Sequence, residues 1–348
     1  MKYFFCYSSL LILIACDSTT AEEKYLEIAG ETMGTYYHIT FGAQDKYPEK
    51  SDLDRWLKDL NQALSTYVEN STISDFNRSD RGISVADIAD KKLATYFFEN
   101  IKISREIFKK SNGFFDPTVM PLVNYWGFGY DHNQPLTVID TQKVDSLEQF
   151  VGFEKLQISS DKPTVSKSNP GIELDFSAVA KGYAIDVVSH LLEDSFDIHD
   201  YLVDIGGESR ASGVNSEGNV WRIGISEPME NSPLNSYKFI VQLKDKSIAT
   251  SGNYRNFYEV GGRKISHTMN PKTGFFERND LLSASIMTDE CGYADGYATA
   301  CMAMGFDAAR KMIESDAHLN AIFIYIDTDN QIKHYITPQI REFVTSSN

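Results

Sequence analysis

The sequence is poor in positive charge and poor in cysteine. Its 348 residues hold 33 Lys and Arg against 49 Asp and Glu, a formal net charge of −16. Such a field repels phosphates, which argues against non-specific nucleic-acid binding. Any anionic ligand would need a local cation, from Lys, Arg or a metal. Four cysteines do not make a disulfide framework, and their spacing matches no zinc pattern. No apolar run reaches the roughly 20 residues of a transmembrane helix. The chain also lacks G-x-G-x-x-G after a strand, G-x-x-x-x-G-K-[ST], H-E-x-x-H and G-x-S-x-G. Their absence removes the linear signatures of Rossmann enzymes, P-loop NTPases, zinc metalloproteases and α/β-hydrolases. The seven histidines form no pair at metal-ligand spacing. There is no internal repeat and no low-complexity tract. What remains is a globular composition, 42% hydrophobic and 24% charged, with length for one large domain or two ordinary ones.

The N-terminus reads as an address. Residues 1–15 carry one charge, Lys2, and the apolar run Leu10-Leu11-Ile12-Leu13-Ile14, with Ala15 before Cys16. A basic start, a short apolar stretch and a small residue at the cut describe an export signal. Leu13-Ile14-Ala15-Cys16 resembles the lipobox of bacterial lipoproteins, in which the cysteine is lipidated and becomes the mature N-terminus. Asp17 resembles the signal that keeps some lipoproteins on the inner membrane. With Cys6 in the signal and Cys16 acylated, Cys291 and Cys301 remain, either as a disulfide or as two buried thiols.

Periodicity predicts the elements. Leu53, Trp56, Leu57, Leu60 and Leu64 mark an amphipathic helix. Further helices are expected over 88–110, with Tyr96, Phe97, Ile101 and Phe108 inward, and over 177–192, with Val179, Tyr183, Val187, Val188 and Leu191 as its stripe. A fourth covers 294–314, with a weak point at Gly305. Strand-like runs cover 36–41, 201–205, 221–225, 239–243, 283–287, 321–326 and 332–336. Helices and strands in separate runs predict an α+β fold, strand-rich in its second half.

Five constellations carry candidate chemistry. Asp295 and Thr299, at i and i+4 on one helix face, offer two hard oxygens suited to Mg²⁺, or simply a helix-start acid and a self-bonded threonine. The stretch 173–183 runs from a strand end into a helix start, with Asp175 or Ser177 as cap and Lys181 one turn further in; a helix start also presents free N–H groups to an anion. Phe114, Phe115 and Asp116 open a turn-rich segment with five aromatics by residue 128, which plug a core or sandwich a flat ligand. The segments 204–208 and 250–255 place glycine and small polar residues at strand ends, for a tight turn or a close approach to phosphate. His267, in Ser266-His267-Thr268-Met269-Asn270-Pro271-Lys272, is a base near neutral pH or a structural histidine.

Together and in this order these segments resemble the ApbE family of flavin transferases, FAD:protein FMN transferases. The resemblance rests on Glu31-Thr32-Met33-Gly34-Thr35-Tyr36, Ser65-Thr66-Tyr67, Gly113-Phe114-Phe115-Asp116-Pro117-Thr118 and Trp126-Gly127-Phe128-Gly129. It continues through 175–186, Gly206-Gly207, 250–255, 267–274 and 294–299, and covers roughly residues 28–305. It implies an α+β fold with a strand-rich, T-fold-like part and a more helical part. It implies a signal over 1–15, a tether over 16–27 and a single catalytic unit over 28–340. Carried over, Met33, Tyr67, Phe114, Phe115, Asp116, Asp175, Lys181, His267 and Thr268 would hold FAD. Asp295, Thr299 and the Ala178 carbonyl would bind Mg²⁺, and His267 would be the base. The implied reaction moves FMN from FAD onto a Ser or Thr hydroxyl of an acceptor protein and releases AMP. Family acceptors carry an Asp-x-x-(Ser/Thr)-Gly-Ala-(Thr/Ser) segment, as in membrane electron-transfer complexes, and members often work lipid-anchored on the periplasmic face of the inner membrane. Alternatives are an FAD pyrophosphatase and a non-enzymatic flavin-binding lipoprotein. Asn253, Gly296 and Phe114 depart from the family's commonest residues.

Overall fold

The computed structural model describes residues 25–131, 136, 138–159, 161–228, 236–252, 257–260, 263–266, 268–276 and 280–347, with backbone alone for 257–260 and 263–266. In chain order the first elements are β1 (Tyr25–Thr32), β2 (Thr35–Gly42), α1 (Lys50–Leu64), α2 (Thr72–Arg78), β3 (Gly82–Ser84) and α3 (Lys91–Lys110). Next come α4 (Met120–Tyr125), α5 (Thr141–Glu148), β4 (Leu156–Ser159), β5 (Thr164–Lys167), α6 (Ala180–Phe196), β6 (Tyr201–Ile205) and β7 (Glu208–Ser212). Then follow β8 (Trp221–Ser226), β9 (Tyr237–Leu243), β10 (Lys246–Gly252), β11 (Phe257–Val260), β12 (Arg263–Ser266) and β13 (Leu281–Thr288). The chain closes with α7 (Cys291–Met304), α8 (Phe306–Glu314), β14 (Asn320–Ile326), β15 (Ile332–Ile336) and β16 (Val344–Ser346).

Eight strands form one antiparallel sheet in the order β1-β2-β6-β7-β10-β13-β14-β15. Its two faces feed two cores, and the strand period of two decides which residue goes where. On β14, Ala321 and Phe323 join the large core shared with α1, α3, α6 and α7, while Ile322 and Ile324 face the other way. That second core lies against Trp221, Ile225, Phe239 and Val241 of the small β16-β9-β8 sheet. A third cluster gathers Leu122, Trp126, Val144, Val151 and Met269 under the aromatic segment. Trp126 is fully buried there and donates its indole N–H to the Gly274 carbonyl at 2.9 Å. The aromatics of 114–128 are thus largely core.

The expected strands are present. The helices differ in instructive ways. The helix expected from residue 88 begins at Lys91, capped by the Asp90 carboxylate on the Lys92 N–H at 2.8 Å. Gly305 (φ 78°) splits the fourth helix into α7 and α8, because that backbone conformation ends a helix. α6 starts at Ala180, after an irregular turn over 176–179. Its buried face is Ala180, Gly182, Ala184, Ile185, Asp186, Val188, Ser189 and Leu192; of the expected stripe, Val188 is buried on the helix and Val179 just before it. Tyr183 and Val187 are only half-buried. Apolar periodicity missed part of this face because small and polar residues share it, and Gly182 and Asp186 meet α7. Cys291 and Cys301 are free, buried thiols.

Candidate active site

A cleft of about 1290 Å³ is walled by the start of α6, the middle of α7, the β6–β7 hairpin, the end of β10 and the segments 114–119 and 268–271. Its charged centre is Lys181, the second residue of α6. Val179 stands at the N-cap position of that helix but has no side-chain oxygen to offer. The Gly182 N–H instead donates to Asp295 Oδ2, 3.3 Å away on α7. The two helices approach this closely because residue 182 lacks a side chain: a Cβ there would lie 2.2 Å from the Cys291 carbonyl oxygen.

Lys181 Nζ lies 2.8 Å from Glu208 Oε1 and 3.4 Å from Asp295 Oδ2. Burial works against the ammonium charge, but Asp295 and Glu208 outweigh it and raise its pKa, so Lys181 stays protonated. Burial pushes Glu208 up to about 8, aided by the charge of Asp295 and opposed by Lys181. Glu208 is placed by the turn before it. Gly206 and Gly207 have φ of 63° and 89°, and Ile205 pairs with Glu208. A two-residue hairpin of that kind needs positive φ at both positions. The glycines therefore make the tight turn as well as lining the cleft.

Thr299 lies one turn along α7 from Asp295, and its hydroxyl is 3.3 Å from that of Ser251 on β10. Ala178 lines the same cleft, and no described residue donates a hydrogen bond to its carbonyl. Carboxylate, hydroxyl and carbonyl are hard oxygen donors, the chemistry that Mg²⁺ takes. Among the described residues no three His, Cys, Asp or Glu side chains form a metal site. A mixed oxygen set of this kind is consequently the one that fits a hard dication.

A second ion cluster stands behind the first. Asp186 accepts the N–H groups of Cys291 (2.7 Å) and Gly292 (2.8 Å), and so caps α7. It also pairs with Arg210 at 3.0 Å, and Arg210 reaches Glu290 at 2.9 Å. Burial and the charge of Glu290 push Asp186 up to about 7, against the two N–H donors and Arg210. α6, β7 and α7 are thereby tied together behind the residues they present to the cleft.

The other expected residues are placed as follows. Phe115 and Asp116 are buried at the cleft wall. Asp116 accepts from Thr118 N (2.8 Å), Thr118 Oγ1 (2.6 Å) and Phe153 N (3.0 Å), so it braces its own loop. Burial pushes it up to about 6. Phe114 is half-buried beneath the Lys272 ammonium, 4.4 Å from the ring centre. Asp175 accepts the Ser177 N–H at 2.8 Å and holds the turn before α6; burial raises its pKa. Thr268 is buried at the cleft wall. Tyr67 is 60% exposed, with its hydroxyl 3.3 Å from the carbonyl of Phe128, a cleft residue. Met33 (φ 49°) sits in the β1–β2 turn, packs on the large core and is not among the residues lining the cleft. His267, Asn253 and Cys16 lie outside the described residues. Gly296 has a steric reason: a Cβ there would lie 2.3 Å from Ile107 Cδ1. Sequence reasoning missed Glu208, Asp186 and Arg210. Glu208 ends a segment whose signal was carried by its glycines, and a lone acid there has no pattern of its own.

The sequence model of the ApbE family matches residues 33–323. The chain belongs to the ApbE family. A Vibrio cholerae relative named FAD:protein FMN transferase is 34% identical over 342 residues, 97% of each ApbE chain. One of the same name from Salmonella typhimurium is 30% identical, covering 98% of this chain and 97% of its own. Among solved structures, the flavin transferase ApbE from Vibrio cholerae matches with a TM-score of 0.80 at 32% identity, over 92% of this chain and 99% of that one. The Pseudomonas stutzeri flavinyl transferase ApbE, in its apo form, matches with a TM-score of 0.77 at 28% identity, over 92% and 96%. The α+β expectation holds, and the arrangement is that of ApbE proteins.

Proposed function

We propose that this ApbE protein transfers FMN from FAD to a protein hydroxyl. The observation that carries the reading is the protonated Lys181 held between Asp295 and Glu208 in the cleft wall. It places a cation in the cleft wall of a net-negative chain, to which a bound dication would add the rest of the positive charge that a pyrophosphate needs. The acceptor Ser or Thr oxygen forms a bond to the FMN-side phosphorus, and the bond from that phosphorus to AMP breaks. The hydroxyl proton passes to a base, for which the family resemblance nominates His267. Phosphoryl chemistry of this kind depends on positioning and charge neutralisation more than on covalent help. Asp295, Thr299 and the Ala178 carbonyl are the residues that would hold Mg²⁺. When bound, that ion supplies charge neutralisation at the phosphates. Lys181 orients the phosphates, Asp295 fixes Lys181 and the start of α6, and Phe114 and Phe115 supply flat apolar surface beside the cleft.

Incubation with FAD, Mg²⁺ and an acceptor fragment containing Asp-x-x-(Ser/Thr)-Gly-Ala-(Thr/Ser) tests this reading. A fluorescent acceptor heavier by one FMN is expected. Free FMN and AMP with unlabelled acceptor would point to a pyrophosphatase, and unchanged FAD to a binding protein. We further propose a lipid anchor at Cys16 and work on the periplasmic face of the inner membrane. The support is the lipobox-like Leu13-Ile14-Ala15-Cys16. Cys16→Ser should release an active protein into the soluble fraction; a variant that stays with the membrane refutes the anchor.

A further inference from the structure

We propose that Glu208 is a ligand of the divalent cation, alongside Asp295. The inference rests on the transferase reading above and extends it to a residue outside the set the resemblance implies. Glu208 is 6% exposed, and its Oε2 has no hydrogen-bond partner. A buried carboxylate oxygen left unpaired is costly, and native proteins keep one where something else satisfies it. The partner of its other oxygen narrows the choice. Lys181 holds Oε1 at 2.8 Å, so the ammonium does not account for Oε2.

Asp295 shows the same division of labour. Its Oδ2 takes the Gly182 N–H and the Lys181 ammonium, while no described residue donates to Oδ1. Two buried carboxylates therefore share one lysine, and among the described residues neither Glu208 Oε2 nor Asp295 Oδ1 has a donor. The two carboxylates repel each other in a buried setting, with a single lysine between them. A dication is the ligand that both spare oxygens and this repulsion describe. An anion is excluded as the partner of these two oxygens, because it would face the carboxylates with no cation between. A water molecule would satisfy Oε2 but leave the repulsion. The cation would thus lie between β7 and α7, with Lys181 beside it to meet the phosphates of the substrate. The β6–β7 glycine turn sets the position of Glu208, and the Asp186–Arg210 pair sets the spacing of β7 from α7.

The test uses Mn²⁺ alone, with no FAD, and reads binding rather than turnover. Free Mn²⁺ is titrated by electron paramagnetic resonance against the whole protein, Glu208→Gln, Asp295→Asn and the surface control Glu217→Gln. Loss of affinity of about tenfold or more in Glu208→Gln and in Asp295→Asn, with none in the control, is the expected result. Wild-type affinity in Glu208→Gln beside lost affinity in Asp295→Asn overturns the assignment and leaves the metal site standing without Glu208. No Mn²⁺ binding by the wild-type protein overturns the metal reading as well. Should Glu208→Gln fail to fold, crystals of the unaltered protein soaked in Mn²⁺ decide. An anomalous peak within about 2.5 Å of both carboxylates supports the proposal. A peak on Asp295 alone refutes it.

Discussion

The carboxylate of Asp295 caps the helix that carries Lys181. Its Oδ2 stands 3.3 Å from the Gly182 N–H and 3.4 Å from Lys181 Nζ, so one side chain both ends a helix and holds a cation. The two roles separate by substitution. Asp295→Asn keeps an oxygen for the Gly182 N–H and removes the charge. It should cost activity on the order of 100-fold or more with little change in melting temperature. Asp295→Ala should lose the activity and, in addition, about 1 kcal/mol of stability for the missing cap. Kinetics with FAD and acceptor, beside urea melts of both variants, check this. Near-normal turnover by Asp295→Asn would remove Asp295 from the chemistry.

Arg210→Met should destabilise the fold by about 3–5 kcal/mol, because it leaves the Asp186 carboxylate buried without its cation. Adding Asp186→Leu should restore only part of that loss. The double variant removes the stranded charge but also the two caps on the Cys291 and Gly292 N–H groups. Full recovery in urea melts would mean that the caps contribute nothing.

Asp116 makes stability depend on pH. Burial raises its pKa from 3.8 to about 6, so the folded protein binds this proton more tightly than the unfolded chain. Its contribution is greatest below pH ~4 and falls as pH rises through about 6, by about 3 kcal/mol at most for a shift of this size. Asp116→Asn, which cannot ionise, should flatten the fall between pH 4 and 7. Melts at a series of pH values would show it; parallel curves for the two proteins would count against it.

Tyr67 should influence which product forms. It is an exposed aromatic whose hydroxyl rests on the Phe128 carbonyl at the cleft. A flavin stacked there would leave slowly, which favours transfer over loss of free FMN. Tyr67→Ala should raise the ratio of free FMN to labelled acceptor several-fold, read by chromatography of the products. An unchanged ratio would assign Tyr67 to the surface alone.

Much of the architecture is legible from residue order. Leu53, Leu57 and Leu60 recur at helical spacing and are buried as that spacing predicts, and the alternation on β14 splits Ala321 and Phe323 from Ile322 and Ile324. Lys181, Asp295 and Thr299 stand out once the family pattern is recognised, because each sits in a local motif. The inner face of α6 does not stand out. Gly182 and Asp186 break the apolar stripe because they face α7, where close backbone approach and a helix cap matter more than greasy surface.

The sequence by itself therefore determined the local elements, the negative field, the family and the residues whose chemistry is announced by a motif. Only the tertiary structure decided that Glu208 joins Lys181 and Asp295. These three belong to separate elements, β7, α6 and α7, and local periodicity carries no information about distances between elements. That distance is set by packing: a glycine that admits a carbonyl at van der Waals contact, a two-residue turn, and a buried Asp186–Arg210 pair. The chain's shortage of positive charge acquires its meaning there, where one buried lysine faces two carboxylates.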